Sequence, residues 1–163
     1  MKNQKGAALV EFALAAGLGL FFVILFGFEF GRALYVWNTV EEVTRRATRV
    51  AVVCNRTQEN IANRVALFNA INDTNTDSAI LSGFNNANID IRYLKEDITT
   101  LATTDTEVYF IEATITNFTH TIIIPLPIFN SAITLPAVTT ILPSEALGFG
   151  YTASGTISTC PVS

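Results

Sequence analysis

Residues 12–28 contain no charged side chain, and the helical pattern they begin runs on for another 25 residues without a proline. The uncharged run is 17 residues long. Counted from Ala7, with Glu11 as its one interruption, it is 22 residues, or about 33 Å as a helix. The hydrocarbon core of a bilayer is roughly 30 Å thick, so this segment is long enough to span it. Lys2 and Lys5 precede the run, which predicts an N-terminus in the cytoplasm and the remainder outside.

Beyond the run the helix changes character. After Gly31 no glycine occurs up to residue 53, and Ala33, Val36, Val40, Val43, Ala47 and Val50 recur at spacings of three and four. That periodicity predicts one apolar stripe on an amphipathic helix. Glu41 and Glu42 each stand four residues before an arginine, Arg45 and Arg46, the favourable order for helical ion pairs. Together with Arg49 they read as a solvated face. Glu29 and Arg32, three apart where the apolar run ends, read as an ion pair at the outer interface. As one rod, residues 7–53 would extend roughly 70 Å, apolar all round in the first half and amphipathic in the second.

The rest of the chain shifts period. Residues 54–57 break the helix, and a second amphipathic helix is expected from about Gln58 to Ala70 with Ile61, Val65 and Phe68 on one face. Residues 72–88, rich in Asn, Asp, Ser and Thr, read as a loop. Alternation at Ile89, Ile91, Tyr93 and at Tyr109, Ile111, Ala113, Ile115 predicts strands, with further short strands around 121–124 and 132–142. Pro125, Pro127, Pro136 and Pro143 mark edges or turns. The expected class is therefore α+β: a long N-terminal helix, a short second helix, then a C-terminal antiparallel sheet.

Composition excludes several functions. Half the residues are apolar and 15% are charged, too few charges for an ordinary water-facing domain of this size. The net charge of −4 leaves no basic surface for a nucleic-acid backbone. His120 is the single histidine and Cys54 and Cys160 the two cysteines, at no short metal-ligand spacing, so no zinc, haem or other cofactor is expected. Asp73-Thr74-Asn75-Thr76-Asp77 opens like a calcium loop, but Ser78 replaces the sixth-position glycine and Phe84 the twelfth-position glutamate, so a plain polar loop is expected. Asn117-Phe118-Thr119 matches a glycosylation sequon. No phosphate loop, G-x-S-x-G or H-E-x-x-H is present; His120 reads as structural, and the chain is not expected to be an enzyme.

The segment Lys5-Gly6-Ala7-Ala8-Leu9-Val10-Glu11-Phe12 resembles the processing site of type IV prepilins. With Glu29-Phe30-Gly31-Arg32-Ala33-Leu34, the arginine-bearing Thr44-Arg45-Arg46-Ala47-Thr48-Arg49 and the turn Ile124-Pro125-Leu126-Pro127, it is similar to the TadE-like group, small pseudopilins of the Tad (Flp, tight-adherence) pilus system. The resemblance implies a pilin-like fold and a leader, residues 1–6, that a prepilin peptidase removes between Gly6 and Ala7. It implies a filament-core helix over 7–53, with membrane span 7–28 and amphipathic part 29–53, and an extracytoplasmic domain over 54–163. The expected function is that of a structural subunit, an accessory pseudopilin or the main filament protein. It would cross the bacterial inner membrane once, then join a pilus at the cell surface beside copies of itself or related pilins, with the membrane assembly machinery as partner.

Within that resemblance Glu11 would be the fifth residue of the mature chain, where it would neutralise the ammonium freed at Ala7 on its own or an adjacent chain. A carboxylate in an apolar helix costs about 2.5–3.5 kcal/mol on insertion scales, so such a partner matters; the other reading is a first-turn acid favoured by the helix dipole. Gly17, Gly19, Gly27 and Gly31 offer small-residue spacings for close helix packing in a filament, or are ordinary glycines of a membrane helix. Cys54 and Cys160 would lie on the oxidising side, either bridged or as two buried thiols. The competing reading is a signal-anchored binding or adhesion module that does not polymerise; against it, no A-x-A cleavage site follows the apolar run.

Overall fold

A computed structural model describes residues 5–70, 73–123, 132–145 and 147. Helix α1, Lys5–Val53, is one unbroken rod of 49 residues, about 73 Å long. It stops because Asn55 takes an extended conformation and uses its side chain as acceptor for the Thr57 amide at 2.9 Å, capping a single 3-10 turn at Arg56–Gln58. Helix α2, Glu59–Ala66, follows at once.

The α2 expectation needs correction in extent and face. The helix ends at Ala66 rather than Ala70, and its buried residues are Ala62 and Ala66 instead of Ile61 and Val65. Small residues on that face let α2 lie close against α1. Phe68 then turns the chain with φ of 62°, and its ring lies 4.1 Å beneath the Arg46 guanidinium.

The sheet half forms as two pieces. Strands β1, Ile89–Leu94, β2, Phe110–Ile115, and β5, Val138–Pro143, make an antiparallel sheet in the order β1-β2-β5. Strands β3, Thr119–Thr121, and β4, Ala132–Thr134, form a separate hairpin. The strand expected at 121–124 therefore starts and ends earlier, and the one expected at 132–142 is split around Pro136, which cannot donate to a ladder. Tyr109 lies just outside β2 and is exposed. Pro125 and Pro127 lie outside the described residues, whereas Pro143 closes edge strand β5 opposite Phe110.

Register explains how the helix docks. Three rows cross the sheet: Ile89-Ile115-Val138, Ile91-Ala113-Thr140 and Tyr93-Ile111-Leu142. The middle row carries the small Ala113 and the polar Thr140, and it receives the face of α1 that bears Thr44 and Thr48. Thr140 Oγ1 bonds Thr44 Oγ1 at 3.0 Å, and Thr48 Oγ1 donates to the Thr44 carbonyl at 2.7 Å. Their hydroxyls are thus satisfied within the core, as buried polar groups must be. Around them Val36, Val40, Val43, Ala47, Ala51, Leu67, Phe84 and Phe118 complete one hydrophobic core. The predicted stripe is buried from Val36 to Ala47, while Ala33 and Val50 are only half-buried.

Candidate assembly helix and its junction with the domain

The core lies entirely along the outer half of α1. Among residues 6–28 none is buried, and Leu25 alone is partly covered. Fully apolar side chains such as Phe12, Phe22 and Phe28 face outward, Phe12 being 73% exposed. A helix of that composition is stable only where something apolar surrounds it, a bilayer or other helices.

Gly6 and Ala7, the expected cleavage pair, sit at the exposed start of this half. Glu11 is exposed on the apolar surface and makes no hydrogen bond or ion pair to another described residue. At Gly17, Gly19, Gly27 and Gly31 an added methyl group would meet nothing within 4 Å. The glycines therefore do no packing work within this chain.

Where the apolar half ends, the structure assembles a cluster that sequence reading left in pieces. The Glu29–Arg32 ion pair forms at 2.8 Å, as expected. The β3–β4 hairpin covers it: Arg32 Nη2 donates to the Thr121 carbonyl and lies 3.3 Å from His120 Nε2, and the Ile123 amide donates to Glu29 Oε1 at 3.2 Å. His120, 6% exposed, stands 3.8 Å from the same carboxylate oxygen. Burial, reinforced by the Arg32 charge, lowers the His120 pKa below its ordinary value, against the opposing pull of Glu29. Glu29 Oε2 and Arg32 Nε are buried with no partner among the described residues. A cleft of about 310 Å³ beside the cluster is lined by Arg32, Tyr35, Ile80, Phe118 and Ile123 among others.

Farther out the helix shows the solvated face expected of it. Arg45 and Arg46 pair with Glu41 and Glu42 at 3.3 and 2.9 Å, Trp37 Nε1 donates to Glu41 at 2.9 Å, and Arg49 is exposed. At the far end Arg56 donates to the carbonyls of Ala102 and Thr103 at 2.9 and 2.8 Å and pairs with Asp105, an anchor with no local signature in sequence. Burial pushes the nearby Tyr93 hydroxyl up to about 12.

Cys54 is buried at the end of α1, and Cys160 lies outside the described residues. The Asp73–Asp77 stretch is tied into successive side-chain turns, with Asp73 and Asn75 accepting the amides of Asn75 and Asp77. Among the described residues no group of three or more His, Cys, Asp or Glu is placed to hold a metal ion. Asn117 is exposed at a positive φ of 57°, which suits asparagine in the turn between β2 and β3.

Comparison with known proteins adds one finding. No curated protein and no solved structure matches the chain. The model of the TadE-like protein family matches residues 6–49, a segment that begins at the expected cleavage glycine and ends inside the amphipathic half of α1. Over that stretch of helix, 44 of the 163 residues, the chain is similar to the TadE-like protein family.

Proposed function

We propose that this chain is a structural subunit of a Tad-like or type IV-like pilus, as an accessory pseudopilin or as the main filament protein. The observation that carries the reading is the division of α1. Its inner half, residues 7–28, is apolar except for Glu11 and is unburied, and its outer half is wrapped by a domain. In the membrane stage residues 7–28 span the inner membrane, with the N-terminus in the cytoplasm and residues 54–163 outside. A prepilin peptidase then removes residues 1–6, and the inner-membrane assembly machinery passes the subunit to a filament at the cell surface. The same apolar surface that lipid covered becomes helix-to-helix contact with copies or related pilins, and the open glycine positions admit a neighbour's backbone.

Glu11 is the register device of this scheme. Alone in hydrocarbon it is costly, so it favours any arrangement that brings the Ala7 ammonium of its own or an adjacent chain within reach. The energy for filament growth comes from a partner ATPase. Nothing in this scheme requires catalysis by the chain itself.

Intact-mass measurement of protein purified from membranes tests the reading. Loss of residues 1–6 is expected; an uncut chain, or a cut near residues 30–35, refutes prepilin processing and returns the chain to a signal-anchored binding module. In cells, Glu11→Ala is expected to insert normally yet fail to enter filaments. Normal assembly of that variant would remove Glu11 from the mechanism.

A further inference from the structure

The apolar surface of this chain does not stop with the apolar run of its sequence. Glu29 and Arg32 are the first charges past residue 28, and the β3–β4 hairpin covers them with its backbone. Their side chains are only 13% and 28% exposed, whereas Glu42, Arg45 and Arg46 farther along the same helix are 42%, 56% and 42% exposed. Outward at this level stand Phe30, Leu34 and Tyr35 on the helix, Ile123 and Ile133 on the hairpin, and Ile80 on the neighbouring loop, beside the uncharged Thr119, Thr121 and Thr134. Ile123 is 65% exposed and Phe30 62%. The hairpin is pinned at the height of Glu29, directly above the last residue of the span, and Leu34 is about 9 Å farther along the helix.

We propose that this collar is a membrane-seating surface, with the headgroup layer and upper acyl chains of the outer leaflet as its occupant. The inference rests on residues 7–28 spanning a bilayer. A bilayer is about 40–45 Å thick with its headgroups against roughly 30 Å of hydrocarbon, so a polar layer of several ångströms lies where the collar sits. Two features favour lipid over water or a protein partner there. The collar is continuous with the lipid-facing surface of the span. It also presents the aromatic and aliphatic side chains suited to that layer while its charges neutralise each other beneath backbone. A water-facing surface would have no reason to bury its first ion pair and expose Ile123. The domain therefore rests on the leaflet through the hairpin instead of standing clear of it on the helix.

Tryptophan depth measurement tests this, because Trp37 is the single tryptophan and Trp37→Phe gives a silent background. Full-length protein carrying Ile123→Trp or, as an independent reporter, Ile133→Trp is placed in phosphatidylethanolamine–phosphatidylglycerol vesicles whose lipids are brominated near the headgroup end of the acyl chains. Phe22→Trp reports the span, and Leu101→Trp, beside the Arg56 anchor at the far end of α1, reports the distal domain. Expected is a loss of emission of about twofold or more at 123 and 133, strong quenching at 22 and none at 101. Quenching at 22 with both collar positions matching position 101 overturns the collar while leaving the span intact. No quenching at 22 overturns both. A cross-link between two copies through position 123, with no lipid quenching there, gives the surface to a second chain and also overturns the proposal.

Discussion

Replacing Arg32 with alanine separates the hairpin from the helix with little else disturbed. A two-stranded hairpin is marginal alone, and β3–β4 shares no ladder with the main sheet, so its position depends on such anchors. Arg32 supplies one directly, its bond to the Thr121 carbonyl, and its guanidinium lies 3.3 Å from His120 Nε2 on the same strand. Hydrogen bonds to charged groups are worth about 1.5–3 kcal/mol, and because the Arg32 side chain is partly exposed, water recovers some of that, leaving a loss of about 1–2 kcal/mol. Hydrogen exchange at the β3–β4 amides should accelerate by about 5–30-fold, with the β1-β2-β5 amides unchanged.

The same variant has an electrostatic signature. His120 is the single histidine, so its ring resonances in detergent-solubilised protein report one titration. In the native chain its pKa lies below the ordinary 6.5, so the folded hairpin holds the neutral ring. That contribution is fully present above the unfolded value and is lost as pH falls through the folded one. Arg32→Ala removes a cation that lowers the pKa and leaves Glu29, which raises it. The titration midpoint should move up and the hairpin's acid sensitivity shrink; adding Glu29→Gln should move the midpoint back down. An unchanged midpoint in Arg32→Ala, or hairpin amides as protected as before, would refute the assigned geometry.

Two further outcomes follow from the core and the cysteines. Phe84→Ala empties a fully buried site whose ring packs edge-on against Phe118 at 5.0 Å, and chemical denaturation should show a loss of about 3–5 kcal/mol. We propose a Cys54–Cys160 disulfide, which would close a loop of about 107 residues and stabilise the domain by up to roughly 4.7 kcal/mol in the chain-entropy account. It is checked by thiol counting under denaturation and by faster migration on non-reducing gels than for Cys160→Ser.

The elements that sequence displayed are those whose signal is local. Val36, Val40, Val43 and Ala47 repeat at helical spacing, and Ile89, Ile91, Tyr93 and Ile111, Ala113, Ile115 alternate, so burial follows directly from period. Thr44 and Thr48 do not belong to that apolar stripe, because a threonine carries no hydrophobic signal in sequence. In the fold each bonds a carbonyl one turn back, and Thr44 also receives Thr140 from 96 residues away. The α2 face was misread because Ile61 and Val65 outweigh alanine by hydrophobicity, whereas close packing on α1 selects the small Ala62 and Ala66. The junction was half legible. Glu29 and Arg32 announce a pair by their spacing, but His120 joins them across 88 residues through a hairpin whose strands are three residues each. Nothing local marks that meeting.

One consequence of the 49-residue rod concerns motion. Between Phe28, where the bare half ends, and Val36, where the core begins, α1 has neither proline nor helix break, and the hairpin braces that stretch from the side. The chain accordingly has no wrist. Tilt of the inner half and orientation of the domain are a single degree of freedom. A neighbour that grips the first few turns steers a domain whose core begins about 43 Å farther along the helix, as a hand on a tiller steers a rudder.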